Sequence, residues 1–109
     1  MAYDIALTAL ADPTRCAVFE RLRGGRVSVG DIAAGLPVSR PAVSQHLRVL
    51  KQAGLVRDQA VGARRLYEVD AGGLAELRAW LDRFWDEALN AFKAEVERPS
   101  FSKRRKKKR

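Results

Sequence analysis

Apolar residues recur three and four apart through most of this chain, give way to alternation for a short stretch, then return to helical spacing. Tyr3 to Leu10 sets Ile5, Leu7 and Leu10 together and predicts a first helix. Asp12-Pro13 is a start signal, with aspartate as N-cap and proline at the first helical position. The helix it opens carries Val18, Phe19 and Leu22 on one face and stops at Gly24-Gly25. Ser28 with Asp31 three residues later resembles a capping box and opens a short helix with Ile32, Ala33 and Leu36, ended by Gly35-Leu36-Pro37. Ser39 caps the next helix, from Arg40 to about Ala53, and Gly54 stops it. Leu55–Ala60 and Arg64–Val69 read as strands separated by Val61-Gly62-Ala63, which makes a hairpin. Asp70 caps a last helix that reaches Arg98, with Gly72 and Gly73 in its first turn and Pro99 after it.

Four helices, a hairpin and a long helix predict a mainly α domain of about five helices plus a two-stranded wing. Two helices joined by the tight turn GLPVS and followed by an arginine-bearing hairpin describe a winged helix-turn-helix. In that architecture the second helix of the pair enters the major groove and the hairpin touches the backbone beside it. The expected domain spans residues 1–98. Residues 99–109 form a polar, basic tail that cannot fold by itself.

The stretch VSRPAVSQHLRVLKQAG, residues 38–54, carries the chemistry. With Val43 at zero and 100° per residue, Leu47 and Leu50 fall within about 40° of it, while Pro41, Ser44, Gln45, Arg48 and Gln52 gather opposite. Any amphipathic helix has a polar outer face, and by itself this one would be merely solvated. Its groups, however, suit base edges: glutamine matches adenine, arginine guanine, and serine is tolerant. Ser39 and Arg40 sit at the helix N-terminus, where free N–H groups favour a phosphate. Arg64 and Arg65 near the hairpin tip suit phosphate or minor-groove contact.

Charge sharpens the choice. The chain has 109 residues and a formal net charge of +8, but seven positives form the terminal run KRRKKKR, leaving 14 basic and 13 acidic groups in residues 1–102. Residues 40–65 hold six cations against Asp58 alone, an excess of five, whereas residues 71–98 have four basic and six acidic groups. The basic region is therefore the one that carries the polar helix face. The terminal run is either a phosphate-binding arm or a solubilising end.

Other chemistry is sparse. One histidine, one cysteine, no glycine-rich phosphate loop and no paired carboxylates argue against an enzyme and name no catalytic residue. Cys16 has no internal disulfide partner and reads as structural, the rival being a redox-sensing thiol, favoured by Arg15 and Arg21, or half of an intersubunit disulfide. No apolar run approaches the roughly 20 residues that span a bilayer, and the N-terminus lacks a targeting signal, so the expected location is the cytoplasm.

ALADPTRCAVFERL, then VGDIAAGLPVSRPAVSQHLRVLKQAGLV, then GARRLYEVD resemble the ArsR/SmtB family of bacterial transcriptional regulators over roughly residues 5–98. The resemblance implies a winged helix-turn-helix homodimer that represses its own operon, with double-stranded DNA as partner. It implies that Arg40, Pro41, Ser44 and Gln45 face the major groove, with Arg64 or Arg65 on the wing. His46-Leu47 match the family's SxHL segment, and His46 is read as a packing or phosphate residue. Metal-sensing members carry Cys-Val-Cys where this chain has RVSVGDIA, with Ser28 and Gly30 at the cysteine positions. A second family site uses Asp, His and Glu on the final helix, which here has Asp82, Asp86 and Glu87 but no histidine. Neither a metal site nor a cofactor is expected.

The final helix presents Leu74, Leu77, Trp80, Leu81, Phe84, Trp85, Ala88, Leu89 and Phe92, and its 28 residues would extend about 42 Å. This is more apolar surface than one small wing domain hides. With the resemblance, the stripe predicts a two-fold dimer through the first and last helices, with Leu7, Leu10, Leu77, Trp80, Leu81, Phe84, Trp85, Ala88 and Phe92 at the interface. Such a dimer would set two recognition helices about 34 Å apart for a palindromic operator. Two rivals remain: a metal- or thiol-responsive repressor with non-standard ligands, and a winged helix that binds only protein.

Overall fold

The computed structural model describes residues 2–98; the KRRKKKR tail lies outside the described residues. The elements are α1 (Ala2–Leu10), α2 (Pro13–Glu20), β1 (Val27–Ser28), α3 (Val29–Ala34), α4 (Arg40–Gln52), β2 (Val56–Val61), β3 (Arg64–Val69) and α5 (Ala71–Glu97). They fall into two units, residues 1–78 and residues from 79 onward.

The helix starts form where the caps predict them. Asp12 accepts a hydrogen bond from the Arg15 amide at 3.0 Å, Ser28 from the Asp31 amide at 3.2 Å, and Ser39 from the Ala42 amide at 3.3 Å. Each fills one of the donor vacancies that every helix leaves at its start. Gly54, at φ +80°, lets the chain leave α4 in the left-handed conformation that a side chain resists.

The core of the first unit comes from short segments that meet around α4. Val43, Leu47 and Leu50 are buried together with Ala6, Ala9, Val18, Leu22, Ile32, Leu55 and Val56. Leu22 lies beyond the end of α2, in a tight turn in which its amide donates to Phe19 O at 3.0 Å, yet it remains fully buried.

The sheet departs from the expected two strands. It has three, in the order β1-β3-β2, all antiparallel. Val27 and Ser28 pair with Tyr67 and Leu66. Ser28 must be extended to cap α3, with φ −83° and ψ 160°, and that is also strand geometry. The cap residue of α3 therefore doubles as an edge-strand residue. A two-residue strand is too short to show any alternation in sequence.

The hairpin also turns more tightly than expected. β2 runs to Val61 and pairs with Arg64, so only Gly62 and Ala63 form the turn, with Gly62 at φ +63°. Leu55 is not a strand residue: it is buried, its amide donates to Leu50 O at 3.0 Å, and its carbonyl accepts from the Asp70 amide at 2.8 Å. That second bond ties the start of α5 to the end of α4.

The second unit holds the rest of α5. Leu81, Phe84, Trp85, Leu89, Phe92 and Val96 are exposed at i, i+3 and i+4 spacing. Trp80 and Phe84 stack with ring centroids 5.7 Å apart and planes 17° off parallel. Among the described residues no helix is long and apolar enough to cross a membrane.

Candidate nucleic-acid interface

α4 is held firmly on one side and open on the other. Val43, Leu47 and Leu50 are at most 1% exposed, which fixes the helix's rotation about its axis. Pro41, Ser44, Gln45, Arg48 and Gln52 are all exposed, as are Ser39 and Arg40 at the N-terminus. His46 is half-buried, and its enclosed Nδ1 has no hydrogen-bond partner. It belongs to the packing side of the helix and not to the open polar face.

Arg40, Arg64 and Arg65 border one concavity, although Arg64 and Arg65, as strand neighbours, send their guanidiniums to different acids, Asp31 and Asp58. With Ser28, Val29, Gly30 and Ala63 they line its volume of about 250 Å³, where α3, the start of α4 and the hairpin tip meet. Gly30 lies close to the Arg40 guanidinium. A Cβ there would lie 2.9 Å from one terminal guanidinium nitrogen of Arg40 and 3.3 Å from its central carbon. Gly30 has no positive φ, and the guanidinium, as the end of a flexible side chain, can shift to admit a Cβ there.

The basic region is less bare than its composition implied. Arg64 donates to Asp31 at 3.2 Å, and Arg57 faces Glu68 at 3.0 Å, with Arg26 on the same carboxylate at 3.6 Å. Asp58 accepts from Arg65 at 2.8 Å and lies 2.7 Å from Lys51 Nζ. Asp31 and Glu68 lie outside the 40–65 window. With these two acids and Arg26 counted in, the region holds seven cations and three carboxylates, an excess of four. Exposed pairs such as Arg64–Asp31 are weak and screened by salt, so a phosphate can compete for the cation. Arg40 and Arg48 have no ion pair among the described residues.

Two carboxyls titrate below their ordinary value. The Lys51 ammonium and then the Arg65 guanidinium hold Asp58 ionised against the cost of its partial burial. Asp12 is lowered mainly by the Arg15 amide it caps.

Sequence reasoning put Arg64 and Arg65 on the wing but missed the acids that hold them, Asp31 and Asp58, and the Glu68 that pairs with Arg57. One signal was available. A two-residue turn at Gly62-Ala63 sets Arg57 opposite Glu68 and makes Asp58 a diagonal neighbour of Arg65.

The expected interface residues divide. Leu7, Leu81, Phe84, Trp85, Ala88 and Phe92 are exposed. Leu10 and Leu77 are instead half-buried against the first unit's own core, and Trp80 is half-buried. Ile5, which sequence reasoning did not single out for the interface, is 57% exposed.

Residues 10–59 match the model of a helix-turn-helix domain family. The chain is 58% identical over 89 residues to the HTH-type transcriptional regulator Rv2034 of Mycobacterium tuberculosis, covering 82% of this chain and 83% of that one. It is 34% identical to the transcriptional repressor SdpR of Bacillus subtilis, covering 75% and 91%. Among solved structures, it is similar to the homodimeric winged helix-turn-helix DNA-binding domain of a possible ArsR-family regulator from Mycobacterium bovis. That match has a TM-score of 0.64 at 28% identity and covers 83% of each chain.

Proposed function

Because the chain belongs to the ArsR/SmtB family of helix-turn-helix transcriptional regulators, we propose that it is a cytoplasmic repressor that binds a palindromic operator as a homodimer. In this reading α4 lies in the major groove. Arg40, Pro41, Ser44, Gln45 and Arg48 meet base edges and flanking phosphates, Ser39 marks the N-terminal phosphate position, and Arg64 and Arg65 grip the backbone. One observation carries the reading. A helix pinned by three fully buried side chains turns an unpaired row of hydrogen-bonding groups outward beside a concavity that Arg40, Arg64 and Arg65 help to line. Core packing alone accounts for the fixed rotation; what a merely solvated face does not call for is a concavity bordered by three arginines at its N-terminal end.

Dimerisation rests on the α5 stripe and on the homodimeric relative. We read the protein as not metal-responsive. Ser28 and Gly30 occupy the positions of the sensors' cysteines, and the Arg40 guanidinium fills the space beside Gly30.

The test is substitution of the reading face. Arg40→Ala and Gln45→Ala should each lower affinity for the operator at least tenfold, as loss of a good base contact does, while sedimentation shows the dimer unchanged. Specific binding that survives both changes would overturn the assignment of the face.

A further inference from the structure

Among the acids paired in the basic region of the described residues, Asp58 is the one that ties the wing to α4 itself. Its carboxylate lies 2.7 Å from Lys51 Nζ, on the last turn of α4, and 2.8 Å from a terminal guanidinium nitrogen of Arg65, on β3. The two cations are each about half exposed, while the Asp58 side chain is 9% exposed. Asp58 is therefore the enclosed member of the trio. The other acids of the region act differently: Glu68 links neighbouring strands of the sheet, and Asp31 is itself exposed.

We infer that Asp58 is a specificity-determining residue that clamps the wing to the recognition helix, a role that rests on the DNA-binding reading above. Two consequences follow for a protein that approaches a polyanion. The clamp fixes the distance between the groove-reading face of α4 and the phosphate-touching tip of the hairpin, so both engage only on duplex of the right shape and register. It also holds one negative charge against two cations that would otherwise attach to any phosphate. Phosphate contacts bind all sequences alike, and base contacts separate them. A carboxylate that restrains the former raises discrimination at some cost in bare affinity.

The experiment measures affinity for operator and for non-operator duplex across a salt series, using the full chain and Asp58→Asn. The substitution keeps shape but removes the charge. The slope of log K against log salt should steepen by about one per protomer, non-operator binding should strengthen, and the operator-to-non-operator ratio should fall about tenfold. Asp58→Glu, which restores the charge, should recover the wild-type slope. Lys51→Met, at an exposed position, guards against a folding defect in the aspartate variants. If the clamp operates it lowers the ratio, whereas equal loss on both duplexes would make Lys51 a plain phosphate contact and overturn the inference. An unchanged slope and ratio in Asp58→Asn, with only thermal stability reduced, would overturn it as well. Failure of the wild-type chain to prefer any duplex would instead overturn the underlying function.

Discussion

Gly72 and Gly73 are neighbours in the first turn of α5, and alanine at the two positions should move stability in opposite directions. In a helix interior, alanine is favoured over glycine by about 1 kcal/mol. At Gly72 nothing opposes that gain, since the nearest group to an added Cβ is Asp70 Oδ1 at 3.4 Å, an ordinary contact. At Gly73 the added carbon would lie 1.6 Å from the Gly54 carbonyl oxygen and 2.7 Å from its carbon. Neither is the end of a flexible side chain, so one backbone segment must move by roughly 1.5 Å. That motion pulls on the 2.8 Å bond from the Asp70 amide to Leu55 O and on the Asp70 cap over Gly72 and Gly73. Overpacking against a side chain costs about 1–3 kcal/mol, and against backbone the upper figure applies. Set against the propensity gain, the net loss for Gly73→Ala is about 2 kcal/mol. In a domain of this size that lowers Tm by roughly 8–16 °C, whereas Gly72→Ala raises it by up to about 8 °C. Thermal unfolding followed by circular dichroism at one fixed protein concentration reads both, since dimerisation makes Tm depend on concentration. Shifts of the same sign, or a Gly73→Ala midpoint within 2 °C of wild type, would refute the close approach of α5 to the end of α4.

Two further predictions concern other links. The Asp58 carboxyl titrates below its ordinary value of 3.8 in the folded chain, so its contribution to stability is complete above about pH 5 and fades as pH falls through and below 3.8. A pH series of unfolding midpoints should therefore show a shallower acid decline in Asp58→Asn, and an identical decline would mean that Lys51 and Arg65 do not hold the charge. Trp85 is 62% exposed on α5; covering that fraction removes about 150 Å² from water and is worth about 3–4 kcal/mol. Trp85→Glu should accordingly weaken self-association by at least a hundredfold in sedimentation equilibrium, and a dimer of undiminished affinity would remove α5 from the interface.

The helical part of the fold was legible because its signals are local. Asp12, Ser28 and Ser39 each announce a helix start with a side chain that reaches three residues ahead, and the spacing of Val43, Leu47 and Leu50 orients α4 without reference to anything distant. The β part was less so. Leu55 looks like the first residue of a strand, but its burial and backbone bonds make it the joint between α4 and the sheet. Placing the turn over three residues instead of two slips the hairpin register by one, which sends every β2 side chain to the wrong face. With that slip Arg57 no longer meets Glu68 and Asp58 no longer lies beside Arg65. The candidate site was readable as a list of donors, but their restraint was not. Asp31 is 33 residues from Arg64, and no periodicity connects them. Gly73 illustrates the same limit, because its missing side chain leaves room for a group that only the folded chain brings near, the Gly54 carbonyl.

The central claim, that α4 reads sequence and does so in symmetric pairs, is tested most directly by selecting bound molecules from a pool of random-sequence duplexes at physiological salt. The account predicts enrichment of one inverted repeat, with half-site centres about 34 Å apart or a whole number of helical turns beyond that. It also predicts that enrichment is lost with Arg40→Ala and Gln45→Ala combined. A pool that stays random, while the protein still binds it in a salt-dependent way, would show a phosphate-binding protein with no reading face and contradict the account.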